Sequence, residues 1–155
     1  MSSLLIKTSL GPITLLLRPD VAPTTVAHVK NLVGASLFNN VEFYRSDFVI
    51  QMGLYGTQKV NDFPDLPINE SQRQPLLSNL RGAVAIAHHD VPDNGNSEMF
   101  INLGANTHLD EAYGGYCVFA QVDTSNGTSF ETVDKIAEEI ANNGRNVKVE
   151  SVTLQ

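Results

Sequence analysis

Arg45 and Gln51 stand in the stretch Phe43-Tyr44-Arg45-Ser46-Asp47-Phe48-Val49-Ile50-Gln51-Met52-Gly53, an always-charged forked donor and an amide among residues that are mostly aromatic or aliphatic. A packed core would not choose either. The pattern leaves two readings open: both side chains point outward to water beside unrelated neighbours, or they share a site in which a fixed cation donates hydrogen bonds. Other chemistries start with less support. The chain carries no glycine-rich phosphate loop, no Gly-x-Ser-x-Gly elbow and no His-x-x-x-His pair. His88-His89-Asp90 has the right residue types for a metal, but adjacent strand side chains point to opposite faces, and Pro92 and Gly95 make the segment a loop. Cys117 begins an apolar strand with no evident activating base and reads as a small core residue.

Composition narrows the classes further. The 155 residues favour one domain spanning 1–155, and 42% hydrophobic against 17% charged residues requires a packed core. Ten Lys+Arg against seventeen Asp+Glu leave a charge of −7, and the basic residues are scattered, so no nucleic-acid partner is expected. Basic peptides suit that charge better. A single cysteine excludes an internal disulfide framework and a cysteine cage for zinc. No run approaches the ~18 apolar residues of a membrane span, and Lys7 interrupts the only leader-like stretch. The expectation is a cytoplasmic protein, without membrane contact and monomeric. The triplets Asn69-Glu70-Ser71 and Asn126-Gly127-Thr128 match a glycosylation pattern that matters only on a secreted chain.

The elements that must position these residues are short runs rich in Val, Ile, Leu and Phe, separated by Gly, Pro, Asn and Asp. Leu4-Leu10 and Ile13-Arg18 flank Gly11-Pro12, which predicts an opening hairpin turning there. Val41-Arg45, Phe48-Gly53, Ala83-Ala87, Met99-Leu103, Cys117-Val122 and Val147-Leu154 complete about eight strands. A helix starts at Thr24 or Thr25 and carries Val26, Val29 and Val33 to Gly34. A second carries Phe130, Val133, Ile136 and Ile140, with Glu131 four residues before Lys135 and a stop at Asn143-Gly144. Two helices cannot cover both faces of so many strands, so the fold class is mainly β: a closed eight-stranded antiparallel barrel capped by two helices. Residues 54–81, with Pro64, Pro67 and Pro75, read as a long ordered loop.

Several segments carry a resemblance in order and spacing. They are Gly11-Pro12-Ile13, Ala22-Pro23-Thr24-Thr25-Val26, Arg81-Gly82-Ala83-Val84-Ala85-Ile86-Ala87, Asn96-Ser97-Glu98-Met99-Phe100-Ile101-Asn102, Leu109-Asp110 and Tyr116-Cys117-Val118-Phe119-Ala120. Over nearly its whole length the chain resembles the cyclophilins, and the Gly-Tyr-Cys-Val-Phe-Ala segment and Val133-Asp134-Lys135-Ile136 are most similar to the bacterial-type branch. The resemblance implies a peptidyl-prolyl cis-trans isomerase that assists folding and needs no cofactor or metal. Its partners would be proline-containing peptides and unfolded or flexible protein segments. It assigns Arg45 as the catalytic arginine and Gln51 as its supporting glutamine. Phe48, Val49, Phe100 and Leu109 form the proline pocket, and Ala87, Asn102 and Tyr116 lie on matching stretches of the groove.

The chain departs from the family at identifiable places. Only Ser46-Asp47 separates Arg45 from Phe48, a turn two residues shorter than usual. Glu98 replaces a frequent Gln, and a carboxylate there is expected to pair with Arg45, orienting or sequestering it. Met99 and Val49 also depart from common choices. His108 stands where animal members have a Trp that binds cyclosporin, which implies weak or no cyclosporin binding. A second reading follows from these departures: a non-catalytic or weakly active module that holds proline-containing segments in the same groove.

Overall fold

The computed structural model describes residues 2–72, 76–88 and 94–155. Its strands are β1 (Ser3–Thr8), β2 (Gly11–Leu17), β3 (Val41–Ser46), β4 (Val49–Gly53), β5 (Ala83–Ile86), β6 (Met99–Asn102), β7 (Val118–Val122) and β8 (Val147–Leu154). They close into an antiparallel barrel in the order β1-β2-β7-β5-β6-β4-β3-β8. Closure pairs the flanks of every strand and leaves no open edge. One core runs through the interior, filled by Ile6, Ile13, Leu15, Phe43, Ile50, Met52, Val84, Ile101, Phe119 and Val149.

Helix α1 (Pro23–Gly34) opens on a proline, whose missing N–H costs nothing in a first turn. Its cap comes from far away in the chain. Buried Glu70 accepts the backbone N–H groups of Thr24 and Thr25 at 3.1 and 2.7 Å and the Thr25 hydroxyl at 2.8 Å. The carboxylate therefore meets both the orphan donors and the positive end of the helix dipole. Helix α2 (Thr128–Asn143) ends on Gly144 in the left-handed conformation. It seats on the barrel where Gly82 has φ +87 and the Phe130 ring occupies the space a side chain would need. Arg81 holds it there with a two-pronged pair to Asp134 at 3.1 and 3.0 Å and a stack over Phe130.

The first hairpin does not turn at Gly11-Pro12. Thr8 pairs with Gly11 and Lys7 with Pro12, so both residues belong to β2 and the turn is Ser9-Leu10. The Thr8 hydroxyl decides this: it donates to the Gly11 carbonyl at 2.7 Å and accepts the Leu10 N–H at 3.1 Å, closing the turn earlier. Proline is tolerated near the start of a strand, which is where Pro12 sits.

Candidate functional site

Strand alternation puts Ile50, Met52, Met99 and Ile101 inside the barrel and Val49, Gln51, Phe100 and Asn102 on its outer face. Register then aligns them. Arg45 pairs with Gln51 across β3–β4, Gln51 with Phe100 across β4–β6, Phe100 with Ala85 across β6–β5, and Ala85 with Val118 across β5–β7. One row thus runs from a cation through an amide to an apolar floor. Above it lies a groove of about 780 Å³ whose walls include Tyr44, Arg45, Phe48, Val49, Gln51, Ala87, Glu98, Phe100, Leu109 and Tyr116.

A bulge between Phe43 and Arg45 gives β3 one extra residue, Tyr44. Phe43 stays in the core, while Tyr44 and Arg45 both turn to the groove. The apolar floor is a cluster separate from the barrel core, made of Val49, Ala83, Ala85, Phe100, Leu109 and Val118, with Ala87 and Tyr116 packed on it. Tyr116 meets Phe100 edge-on at 5.7 Å and stacks on His88 at 4.1 Å between ring centroids.

Arg45 is gripped on two sides. Its Nε–H donates to Asp47 at 2.9 Å and an Nη1–H to Gln51 Oε1 at 3.1 Å, and its guanidinium lies 5.2 Å from the Phe48 ring centroid. The short turn produces this arrangement. Asp47 Oδ1 accepts the Val49 N–H at 3.2 Å, which turns its other oxygen back to Arg45. Phe48 is a rim residue, 41% exposed, with His108 edge-on beside it at 5.5 Å.

The expected contact between Glu98 and Arg45 is not formed. Glu98 accepts four neutral donors instead: the Tyr44 hydroxyl at 2.7 Å, the Leu54 and Tyr55 N–H groups at 3.0 and 3.2 Å, and the Ser97 hydroxyl at 2.7 Å. A side chain on Gly53 would overlap the carboxylate, so glycine there admits it. Glu98 reaches Arg45 only through intermediaries. Gln51 Nε2 donates to the Tyr44 oxygen at 2.9 Å, and Gln51 Oε1 accepts from Arg45. Burial, then the hydrogen bond to Glu98 and its charge, push the Tyr44 phenol well above its ordinary range. It stays protonated and donating.

Asn102 does not line the groove. It is fully buried beneath it and donates to Asn79 and to the Ala83 carbonyl, both at 3.0 Å. It also accepts from Asn106 at 2.9 Å, and Asn106 in turn donates to the Phe48 carbonyl at 2.9 Å. Asp110 anchors the other end, accepting Asn79 N–H and Nδ2 at 2.8 and 2.9 Å and the Ser78 hydroxyl. The network joins the Phe48 rim to the Thr107–Asp110 turn that carries Leu109. Sequence reasoning missed Tyr44, Asp47 and this asparagine cluster. The long loop contributes Leu54, Tyr55 and Asp65 to the groove, as its length suggests.

His88 Nε2–H donates to the Gly115 carbonyl at 2.7 Å, while His89, Asp90 and Pro92 lie outside the described residues. Among the described residues no cluster of three metal-binding side chains occurs. No described helix is long and apolar enough to cross a membrane.

A closed eight-stranded antiparallel barrel with an arginine at the edge of an external apolar groove defines a class, the cyclophilin-like barrels. The family model for cyclophilin type peptidyl-prolyl cis-trans isomerases matches residues 3–154. A peptidyl-prolyl cis-trans isomerase of Acinetobacter baylyi is 33% identical over 135 residues, covering 84% of this chain and 69% of that protein. Peptidyl-prolyl cis-trans isomerase B of Escherichia coli is 31% identical over 136 residues, covering 83% and 80%. In fold, a Cryptosporidium parvum cyclophilin crystallised with the dipeptide Ala-Pro superposes with a TM-score of 0.80 at 18% identity, covering 99% of this chain and 98% of that one. The chain belongs to the cyclophilin-type peptidyl-prolyl cis-trans isomerases, with relatives in the bacterial branch, and is an enzyme of the isomerase class.

Proposed function

We propose that the groove over β3, β4, β6 and β5 catalyses rotation about X-Pro bonds, with Arg45 as its catalytic residue and Gln51 as its support. The observation that carries this is the row itself: a doubly held guanidinium beside a cluster apolar enough to take a proline ring. Val49, Phe100 and Leu109 form the seat, with Phe48, Ala87 and Tyr116 around it. Amide conjugation sets a barrier of ~18–20 kcal/mol, so the catalyst need only favour the twisted state. In that state the proline nitrogen regains a localised lone pair. A fixed donor aimed there stabilises the twisted bond more than the planar one, and Arg45 is always charged. Its Nη2, which has no partner among the described residues, is the nitrogen left to donate.

Glu98 and His108 act at the margins of this site, Glu98 by holding Tyr44 and the start of the long loop, His108 by packing on Phe48. We assign the chain a role in folding and in switching proline-containing segments, as a monomer in the cytoplasm; the lone buried thiol of Cys117 supports that reducing compartment. Two-dimensional NMR exchange on X-Pro peptides tests the activity. Wild type accelerates exchange, and Arg45→Ala loses about 10²–10³-fold, the worth of one well-placed transition-state donor, while remaining folded. Peptide binding without faster exchange would establish the non-catalytic module instead.

A further inference from the structure

We infer that Tyr44 is a positioning residue for the reaction: it fixes the Gln51 amide, and through it the guanidinium of Arg45, by tying both to the Glu98 carboxylate. The inference rests on the reading of Arg45 as the catalytic residue.

The direction of every hydrogen bond in the chain follows from its two ends. Glu98 receives four donors and acts only as an acceptor, so the Tyr44 hydroxyl must spend its single hydrogen on it. The Tyr44 oxygen is then left to accept, and the Gln51 amide must present nitrogen to it at 2.9 Å. That turns Gln51 Oε1 to Arg45, which can only donate. Each link permits one orientation. Without Tyr44 the amide keeps its contact with Arg45 but loses its far anchor, and its plane is free to swing with the guanidinium.

Placement reinforces the point. Tyr44 is the extra residue of the β3 bulge, so a regular strand would not bring it to the same face as its neighbour Arg45. It is half-buried, and its ring packs against Tyr55 at 5.3 Å, which limits its own movement. Its phenol is held protonated by burial and by the Glu98 hydrogen bond, so the donor survives across the working pH range. Glu98 is a poor handle for testing this, because it also holds the Leu54 and Tyr55 backbone. Tyr44→Phe removes one oxygen and leaves the ring contact.

The test is a double-mutant cycle with Tyr44→Phe and Gln51→Ala, read by two-dimensional NMR exchange on an Ala-Pro peptide and by the side-chain Nε–H resonance of Arg45. Tyr44→Phe is expected to lower kcat about 3–10-fold with KM within twofold and to shift and broaden the Arg45 Nε–H signal. In a Gln51→Ala background the same change adds less than twofold, because the link it acts through is gone. Equal losses from Tyr44→Phe with and without Gln51, or an Arg45 signal that does not move, would overturn the inference. If Arg45→Ala keeps full turnover, the catalytic reading fails; the Arg45 resonance still decides whether Tyr44 holds the guanidinium.

Discussion

Asp47 accepts the Nε–H of Arg45 at 2.9 Å across a turn only two residues long, so the groove's cation is partly neutralised by its own hairpin. Both side chains are close to half exposed, at 40% and 47%, and an exposed pair of this kind contributes only about 0–1 kcal/mol to stability. Its value is orientation. Asp47→Ala should leave the melting temperature nearly unchanged and lower kcat/KM for X-Pro exchange about 3–10-fold, as the guanidinium loses one of its two grips. An unaltered rate in that variant would mean that Gln51 alone suffices.

How much of this was visible in the sequence depends on the range of the contact. The barrel was legible because its strands are set by local alternation, and the ends of α2 by Gly144 and the helical spacing of its apolar residues. The row from Arg45 to Phe100 needed the resemblance, since pattern alone could not say which outward residues share a row. Glu70 capping α1 from 46 residues away has no local signature at all. Nor does the bulge at Tyr44, which breaks the alternation that would have turned Arg45, two residues after core Phe43, into the barrel. Asn102 sits on the expected stretch, yet burial under the Thr107–Asp110 turn makes it a support for the groove walls.

Removing that support should be costly. Asn102→Ala leaves acceptors on Asn79 and Ala83 and a donor on Asn106 without their partner, for a loss of about 2–3 kcal/mol. Calorimetry should show a melting temperature lower by roughly 5–10 °C.

Acid should act on the same network. Burial opposes the Asp110 charge, but hydrogen bonds from Ser78 and from both Asn79 donors hold its carboxyl below the ordinary value of 3.8. A lowered carboxyl contributes stability that is present above that ordinary value and lost as pH falls through the lower folded value. Wild type should therefore lose stability below about pH 4, and Asp110→Asn should flatten that decline. Denaturant midpoints at pH 3, 4 and 6 make the comparison, and parallel curves would assign the acid response to other carboxylates.

His108 packs edge-on against Phe48 at the exposed rim, a place where a larger aromatic has room to cover a bulky apolar ligand. Titration calorimetry should find no nanomolar cyclosporin binding to the wild type. His108→Trp should tighten binding about tenfold, in line with ~0.5–1.5 kcal/mol for an aromatic contact beyond its area. Nanomolar affinity in the unaltered protein would show that the rim residue does not set this preference.

Cys117 links the barrel to alkaline stability. Burial pushes its thiol from 9.0 up to about 11, with the charge of Glu70 adding to the effect and the Thr25 hydroxyl opposing it. The unfolded chain ionises first, so the folded state holds the extra proton between those values and stability falls as pH rises. The contribution is intact below pH 9 and declines towards pH 11, roughly 1.4 kcal/mol for each pH unit in that window. Tyr44, also raised by burial, adds its own loss only above its ordinary value of 10.0, so the interval from pH 9 to 10 isolates the thiol. Urea midpoints of wild type and Cys117→Ala across that interval should diverge in slope, the variant being flatter though about 1 kcal/mol less stable at neutral pH from the lost buried sulfur. Identical slopes would place the alkaline sensitivity elsewhere in the barrel.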